Sequence, residues 1–274
     1  VSELEATLYK VHKGAAWITL NRPENRNALS AVLVTELYNH LATANHDESV
    51  RCIVITGCDP AFCAGADLKS PPGQSIEGGR AVPYADVLTA ILNSDKPVIV
   101  GVNGAAFAGG LGLIGAADIV IAVEDATFSF SEVRIGVIPA VISVVCLPKL
   151  GTHHGMKLIL TGERFSGADA VNYGLVHRAV PKSELASAVQ KEIDAINKLT
   201  NEGSKVSSHY FIKKNGEILT LVPDLYTSWH AGISSWKKFK SINRYSIGIE
   251  ITNPGHQFGY IDFPKIQINN LRNS

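Results

Sequence analysis

Alanine all but vanishes from this chain after residue 203. There are 27 alanines up to that point and one, Ala231, in the 71 residues that follow. Charge turns over at the same place: residues 1–203 carry 16 basic and 21 acidic side chains, a balance of −5, whereas residues 204–274 carry 9 and 4, a balance of +5. A single core built on one repeating pattern does not change its commonest small residue and its sign of charge together. The sequence therefore predicts two segments of different construction, 1–203 and 204–274, meeting within 197–205.

With 46% hydrophobic and 18% charged residues, the 274-residue chain has ample apolar material for one or two cores, which excludes wholesale disorder. A formal net charge of zero argues against a partner held by phosphate electrostatics, so no nucleic acid is expected. The cysteines Cys52, Cys58, Cys63 and Cys146 form no CxxC pair, no disulfide framework and no zinc-ribbon spacing, which fits a reducing compartment. From Val1 onward there is no basic, apolar, small-residue leader, and a cytoplasmic location is the expectation. Residues 97–123 form the longest apolar stretch, long enough on length alone to span a membrane. Asn103, Asp118 and six glycines divide it, so it reads as strand, turn, short helix and strand, and no membrane span is expected.

Elements alternate through the first segment. Strands are predicted at 8–11, 17–20, 52–55, 98–102 and 119–123, and a helix capped by Ser30 carries Leu33, Leu37 and Leu41 on one face. Further helices are predicted at 84–92, 109–117, 152–160, 167–173 and 183–199, with a strand at 175–180. This alternation is an α/β layout.

Two small-residue turns follow strands. One is Phe62-Cys63-Ala64-Gly65-Ala66-Asp67-Leu68; the other runs from Asn103-Gly104-Ala105-Ala106 through Phe107-Ala108-Gly109-Gly110 to Leu111-Gly112. Backbone N–H groups exposed at such strand-to-helix junctions can hold a carbonyl oxygen as it becomes negative. Runs of Gly and Ala serve close backbone packing equally well.

The order and flanks of these turns resemble the enoyl-CoA hydratase/isomerase family, the crotonases, along nearly all of residues 1–203. The matching landmarks are Leu20-Asn21-Arg22-Pro23 with Asn27-Ala28-Leu29, the two turns themselves, Lys96-Pro97-Val98, Ala117-Asp118-Ile119, and the stretch from Phe128 to Pro139. The resemblance implies a crotonase-like spiral of ββα units, assembled as a homotrimer or dimer of trimers, acting on an acyl-CoA small-molecule substrate. It also implies that the N–H groups of Ala66 and Gly109 polarise the thioester, and that Asn25, Arg26, Ala64, Leu68 and Lys69 run along the coenzyme A moiety. Glu132, within Phe130-Ser131-Glu132-Val133, matches one of the family's two proton-transferring glutamates; the other position falls on Gly112. A lone glutamate must act as acid and base in turn, or shuttle a proton. Hydration of a 2-enoyl-CoA is the first expectation and double-bond isomerisation the second. No metal is expected, and no cofactor beyond the coenzyme A carried by the substrate.

In the second segment, 206–212 and 217–222 read as a hairpin turning at Asn215-Gly216, with a further strand at 246–251. Ser207-Ser208-His209-Tyr210, Trp229-His230-Ala231-Gly232, Ile249-Glu250-Ile251 and Asn253-Pro254-Gly255-His256 together resemble the zinc-dependent N-acetylmuramoyl-L-alanine amidases over about 204–274. Glu250 matches that family's catalytic glutamate, and Trp229 and His230 its peptide-binding wall. His209, His230 and His256 have no metal-site spacing, and the resemblance implies zinc ligands at none of them, so an incomplete amidase-like fold without zinc is expected. Amidase activity and a non-catalytic chimeric fusion are the alternatives from other classes.

Overall fold

The computed structural model describes residues 5–74, 76, 82–200, 210–212, 218–220, 235, 236, 239, 240 and 249–251. Two compact units divide the chain, Val1–Gln190 and Lys191–Ser274, and their division falls inside the last long helix.

The first unit opens with an antiparallel hairpin, β1 (Thr7–His12) and β2 (Ala15–Leu20). Its two-residue loop, Lys13-Gly14, holds both residues at positive φ (49° and 76°), the twist a tight hairpin demands. Ser30 caps α1 (Ala31–His46), its hydroxyl accepting from Leu33 N at 3.2 Å, and the helix buries Leu33, Val34, Leu37 and Leu41.

From here the chain repeats one unit: a long buried strand, a short strand in a second sheet, then a helix. The first turn of the repeat is β3 (Cys52–Gly57), β4 (Ala61–Cys63) and α2 (Tyr84–Leu92). The second is β5 (Val98–Val102), β6 (Ala105–Phe107) and α3 (Gly109–Ala116). The third is β7 (Ile119–Val123), β8 (Thr127–Ser129), a 3-10 turn at Ser131–Ile135 and α4 (Ala140–Thr161). Strands β3, β5 and β7 pair in parallel in the larger sheet, and β4, β6 and β8 pair in parallel in the smaller one. Burial of β5 along its whole length explains its unbroken apolar reading. Behind these come β9 (Phe165–Ser166), antiparallel to β8, then α5 (Gly167–Asn172), β10 (Arg178–Val180), parallel to β7, and α6 (Leu185–Thr200).

One helix differs from expectation. α4 begins at Ala140, whereas the sequence pattern predicts a start at 152. Val141-Ile142-Ser143-Val144-Val145 is rich in β-branched residues and Pro148 follows, a combination with poor helix propensity. Packing overrides it: Ile142, Val145 and Cys146 are buried, and the backbone breaks only at Gly151 (φ 67°, ψ 164°), where two helices meet. The predicted strand at 175–180 is likewise shorter, because the N–H groups of Leu175 and Val176 turn back onto the Ala170 carbonyl.

In the second unit, β11 (Tyr210–Ile212) lies between β12 (Ile218–Thr220), antiparallel to it, and the last strand, Ile249–Ile251, parallel to it. The register sets Glu250 opposite Phe211. A two-stranded ladder joins Ser235–Trp236 to Phe239–Lys240. The Asn215-Gly216 turn, His209, Trp229, His230 and His256 lie outside the described residues.

Candidate active site

The smaller sheet explains why three distant pieces of sequence meet. Its strand order places β6 between β4 and β8, all running the same way, so their carboxyl ends open on one edge. Ala66 follows β4, Gly109 follows β6, and Glu132 follows β8, each by two or three residues. Neighbouring strands lie about 4.8 Å apart, which sets the scale on which the three residues are juxtaposed. Ligands of α/β proteins gather at such carboxyl ends.

The Ala66 turn is built from polar bonds. Leu29 bridges it as an isolated parallel rung: Leu29 N donates to Gly65 O at 2.8 Å, and Asp67 N donates to Leu29 O at 3.0 Å. A parallel rung uses the residues on either side of Ala66, so the Ala66 N–H points away from it, and no acceptor takes it among the described residues. Asp67 is buried, and its carboxylate accepts from Arg22 Nη1 at 2.9 Å and from Lys69 N at 3.0 Å. Burial pulls the Asp67 carboxyl upward, but Arg22 and the Lys69 and Ser70 amides outweigh it and hold the pKa below the usual value. Buried Asn27 ties the neighbouring loops together, donating to Cys58 O at 2.8 Å and Ala61 O at 2.7 Å.

The Gly109 turn is held by close contact. Ala108, the residue before α3, sits at φ 47°, ψ −119°, a region that a side chain rarely adopts, and α3 has no side-chain cap. Gly65, at φ 92°, permits the approach: a Cβ there would lie 2.8 Å from the Ala108 Cβ and 3.5 Å from Gly109 N. The two turns therefore touch. Gly109 N is the first amide of α3, and no acceptor engages it among the described residues. A Cβ on Gly110 would fall 2.8 Å from the Cys63 carbonyl, and one on Gly112 would fall 2.7 Å from both Ile142 Cγ2 and Tyr84 Oη. The volume in which a second carboxylate would begin is thus occupied.

Glu132 lies in the 3-10 turn after β8, and its Oε2 is buried without a hydrogen-bond partner among the described residues. Burial raises its pKa above the ordinary carboxyl value, with its own backbone amide opposing. Burial likewise pushes the thiols of Cys63 and Cys146 up to about 12, so both remain neutral at physiological pH. Tyr84 donates its hydroxyl proton to the Gly109 carbonyl. Its pKa rises well above that of a free phenol, first through burial and then through Cys63, Cys146 and Glu132.

Of the residues expected along coenzyme A, Leu68 is 76% exposed, and Arg26 and Lys69 are exposed as well. Ala64 N donates to Arg26 O at 3.0 Å, so its amide is engaged. Asn25 turns its amide oxygen toward Arg22 Nη2 (2.6 Å) and its nitrogen toward Glu24 Oε1 (2.9 Å), an orientation assigned from these bonds. It therefore braces the pair that holds Asp67. Tyr84 and Ile142 carry no site signal in the sequence: one is a lone aromatic at a helix start, the other part of an apolar run.

Residues 10–216 match the family described as "Enoyl-CoA hydratase/isomerase", and residues 167–273 match the family described as "N-acetylmuramoyl-L-alanine amidase". The mitochondrial enoyl-CoA hydratase of Pongo abelii is 37% identical, over 70% of this chain and 65% of its own length. The 1,2-epoxyphenylacetyl-CoA isomerase of Escherichia coli is 33% identical, over 69% of this chain and 74% of its own. An enoyl-CoA hydratase structure from Mycobacterium smegmatis superposes with a TM-score of 0.64 at 31% identity, covering 70% of this chain and 77% of that one. The chain belongs to the enoyl-CoA hydratase/isomerase family, an enzyme family, and its first unit has the crotonase fold. The amidase likeness covers nearly all of the second unit and reaches back into the end of the first. No helix among the described residues is long and apolar enough to cross a membrane.

Proposed function

We propose that this chain hydrates 2-enoyl-CoA thioesters to 3-hydroxyacyl-CoA. The observation that carries the reading is the buried Oε2 of Glu132, without a hydrogen-bond partner among the described residues, in the turn that follows β8, the strand next to β6. An unsatisfied buried oxygen costs roughly 1–3 kcal/mol, an expense a fold retains where a ligand supplies the missing partner. In this reading the Ala66 and Gly109 amides hold the thioester oxygen as it gains charge in the transition state, which speeds reaction more than uniform binding would. Glu132 takes a proton from water as the water oxygen bonds to the β-carbon, then returns that proton to the α-carbon, so that one water adds across the double bond. Coenzyme A belongs to the substrate, and the reading calls for no further cofactor. The assembly that goes with it is a cytoplasmic homotrimer or dimer of trimers.

Gly112 favours a second reading, isomerisation of the enoyl double bond. With Ile142 and Tyr84 filling the space beside Gly112, Glu132 is the lone carboxylate of the proposed machinery and can move one proton between two carbons without water.

The test supplies purified chain with 2-enoyl-CoA and, separately, 3-enoyl-CoA, following the conjugated thioester by absorbance and the product by mass. Hydration gives a mass gain of one water; isomerisation gives none. Glu132→Gln is expected to lower kcat by roughly 10²–10⁴. As the base, Glu132 works deprotonated, so kcat/KM falls as pH drops through its raised pKa, and Glu132→Gln removes that acid limb. Turnover of neither thioester, or a Glu132→Gln variant as fast as its parent, overturns the proposal.

A further inference from the structure

We infer that Tyr84 is a positioning residue for the Gly109 amide, its phenol wedged into the first turn of α3 through the gap that Gly112 leaves. The inference rests on the proposed oxyanion role of Gly109.

Tyr84 opens α2, 25 residues before the atom it binds. Its hydroxyl donates to the Gly109 carbonyl, which in a regular helix accepts from the amide four residues on, that of Leu113. The hydroxyl therefore reaches the helix at its first carbonyl. Ring atoms complete the grip: a Cβ on Gly109 would lie 3.7 Å and 3.8 Å from Tyr84 Cε1 and Cζ. The bare Cα of Gly112 makes this possible, since a Cβ there would stand 2.7 Å from the hydroxyl.

The start of α3 needs such a grip. The preceding residue offers no side-chain cap, so nothing on Ala108 fixes the first amides of the helix. A donor preorganised for an oxyanion must be aimed before the charge appears. Through its bond to the Gly109 carbonyl and its ring against the Gly109 Cα, Tyr84 holds the first turn, and with it the direction of the Gly109 N–H.

Tyr84→Phe keeps the ring and removes the hydroxyl. The expected result is a fall in kcat of about tenfold, less than removal of a whole donor, with KM changed by less than about twofold. The acid limb set by Glu132 stays where it is. The second readout is the infrared carbonyl stretch of a thioester-¹³C 2-enoyl-CoA bound to the Glu132→Gln protein, in which its turnover is slowed. Binding to Glu132→Gln shifts that stretch downward; adding Tyr84→Phe is expected to return it at least halfway toward the free value. Gly112→Ala reaches the same hydroxyl from the opposite side and is expected to reproduce the loss, which covers the case in which Tyr84→Phe folds poorly. A downward shift that survives both changes overturns this inference alone. Absence of any shift in Glu132→Gln removes the oxyanion reading and this inference with it.

Discussion

The two turns that present Ala66 and Gly109 offer the same chemical part, one open N–H each, yet are secured by opposite means. Around Ala66 the restraints are charges and hydrogen bonds: Arg22 on Asp67 at 2.9 Å, Lys69 N on Asp67, and Leu29 bridging Gly65 and Asp67. Around Gly109 they are mainly volumes: the Ala108 Cβ against Gly65, Leu29 Cδ1 and the Tyr84 ring against the Gly109 Cα, and the Cys63 backbone against Gly110. Leu29 serves both, its backbone in one turn and its side chain in the other. The proposed pair of donors would thus have two independent sensitivities. One turn is expected to respond to pH and salt, and the other to single methyl groups.

The steric turn is expected to break hardest. Gly110→Ala drives a Cβ to 2.8 Å from the Cys63 carbonyl, a backbone atom that cannot swing aside. α3 must move away from β4, and a displacement near 1 Å of a reacting group costs roughly 100-fold in rate. Overpacking adds a stability loss of about 1–3 kcal/mol. Steady-state kinetics and a thermal melt check both; near-parental kcat in Gly110→Ala would show that the turn is not held by volume.

How much of this was legible in the sequence depends on the range of the signal. Apolar runs and caps are local, and they place α2, β5 and β7 at their observed bounds and Ser30 as the cap of α1. The first half of α4 was hidden because its β-branched residues favour a strand until Ile142 and Cys146 pack against α3. The roles proposed for Ala66 and Gly109 use backbone atoms, which leave no side-chain signature, so only the family likeness pointed to them. Their meeting with the Glu132 turn follows from the pairing of β4, β6 and β8, a non-local fact that periodicity does not carry. Tyr84 was invisible, because its bond to Gly109 crosses 25 residues and its neighbours look like any amphipathic helix start.

The electrostatic turn is expected to yield more gently and to yield with pH. Asp67→Asn removes the charge that Arg22 meets while keeping a group of the same shape, so Ala66 loosens rather than leaves, and kcat falls by about three- to tenfold. Because the folded pKa of Asp67 lies below its unfolded value, the carboxylate contributes stability above the unfolded pKa and loses it as pH falls through the folded one. Thermal melts of the parent and Asp67→Asn are therefore expected to differ most at neutral pH and to converge in acid. Added salt narrows the difference at neutral pH. A gap between the two that is flat with pH would leave the Ala66 turn held by packing, like its neighbour.

The smallest effect separates what the steric turn costs from what it does. Ala108 at φ 47° stores strain of order 1–3 kcal/mol, and glycine adopts that backbone freely. Against this, glycine is more flexible in the unfolded chain, which returns roughly 0.4–1 kcal/mol of the gain. Ala108→Gly is therefore expected to raise stability by about 1 kcal/mol in a denaturant titration. The same change deletes the Cβ that meets Gly65 at the junction of the two turns, so kcat is expected to fall a few-fold even as the protein becomes more stable. Stability and rate moving in opposite directions is the signature of strain retained for aim; a variant that loses stability would mean that the Ala108 methyl contributes more by packing than its backbone costs.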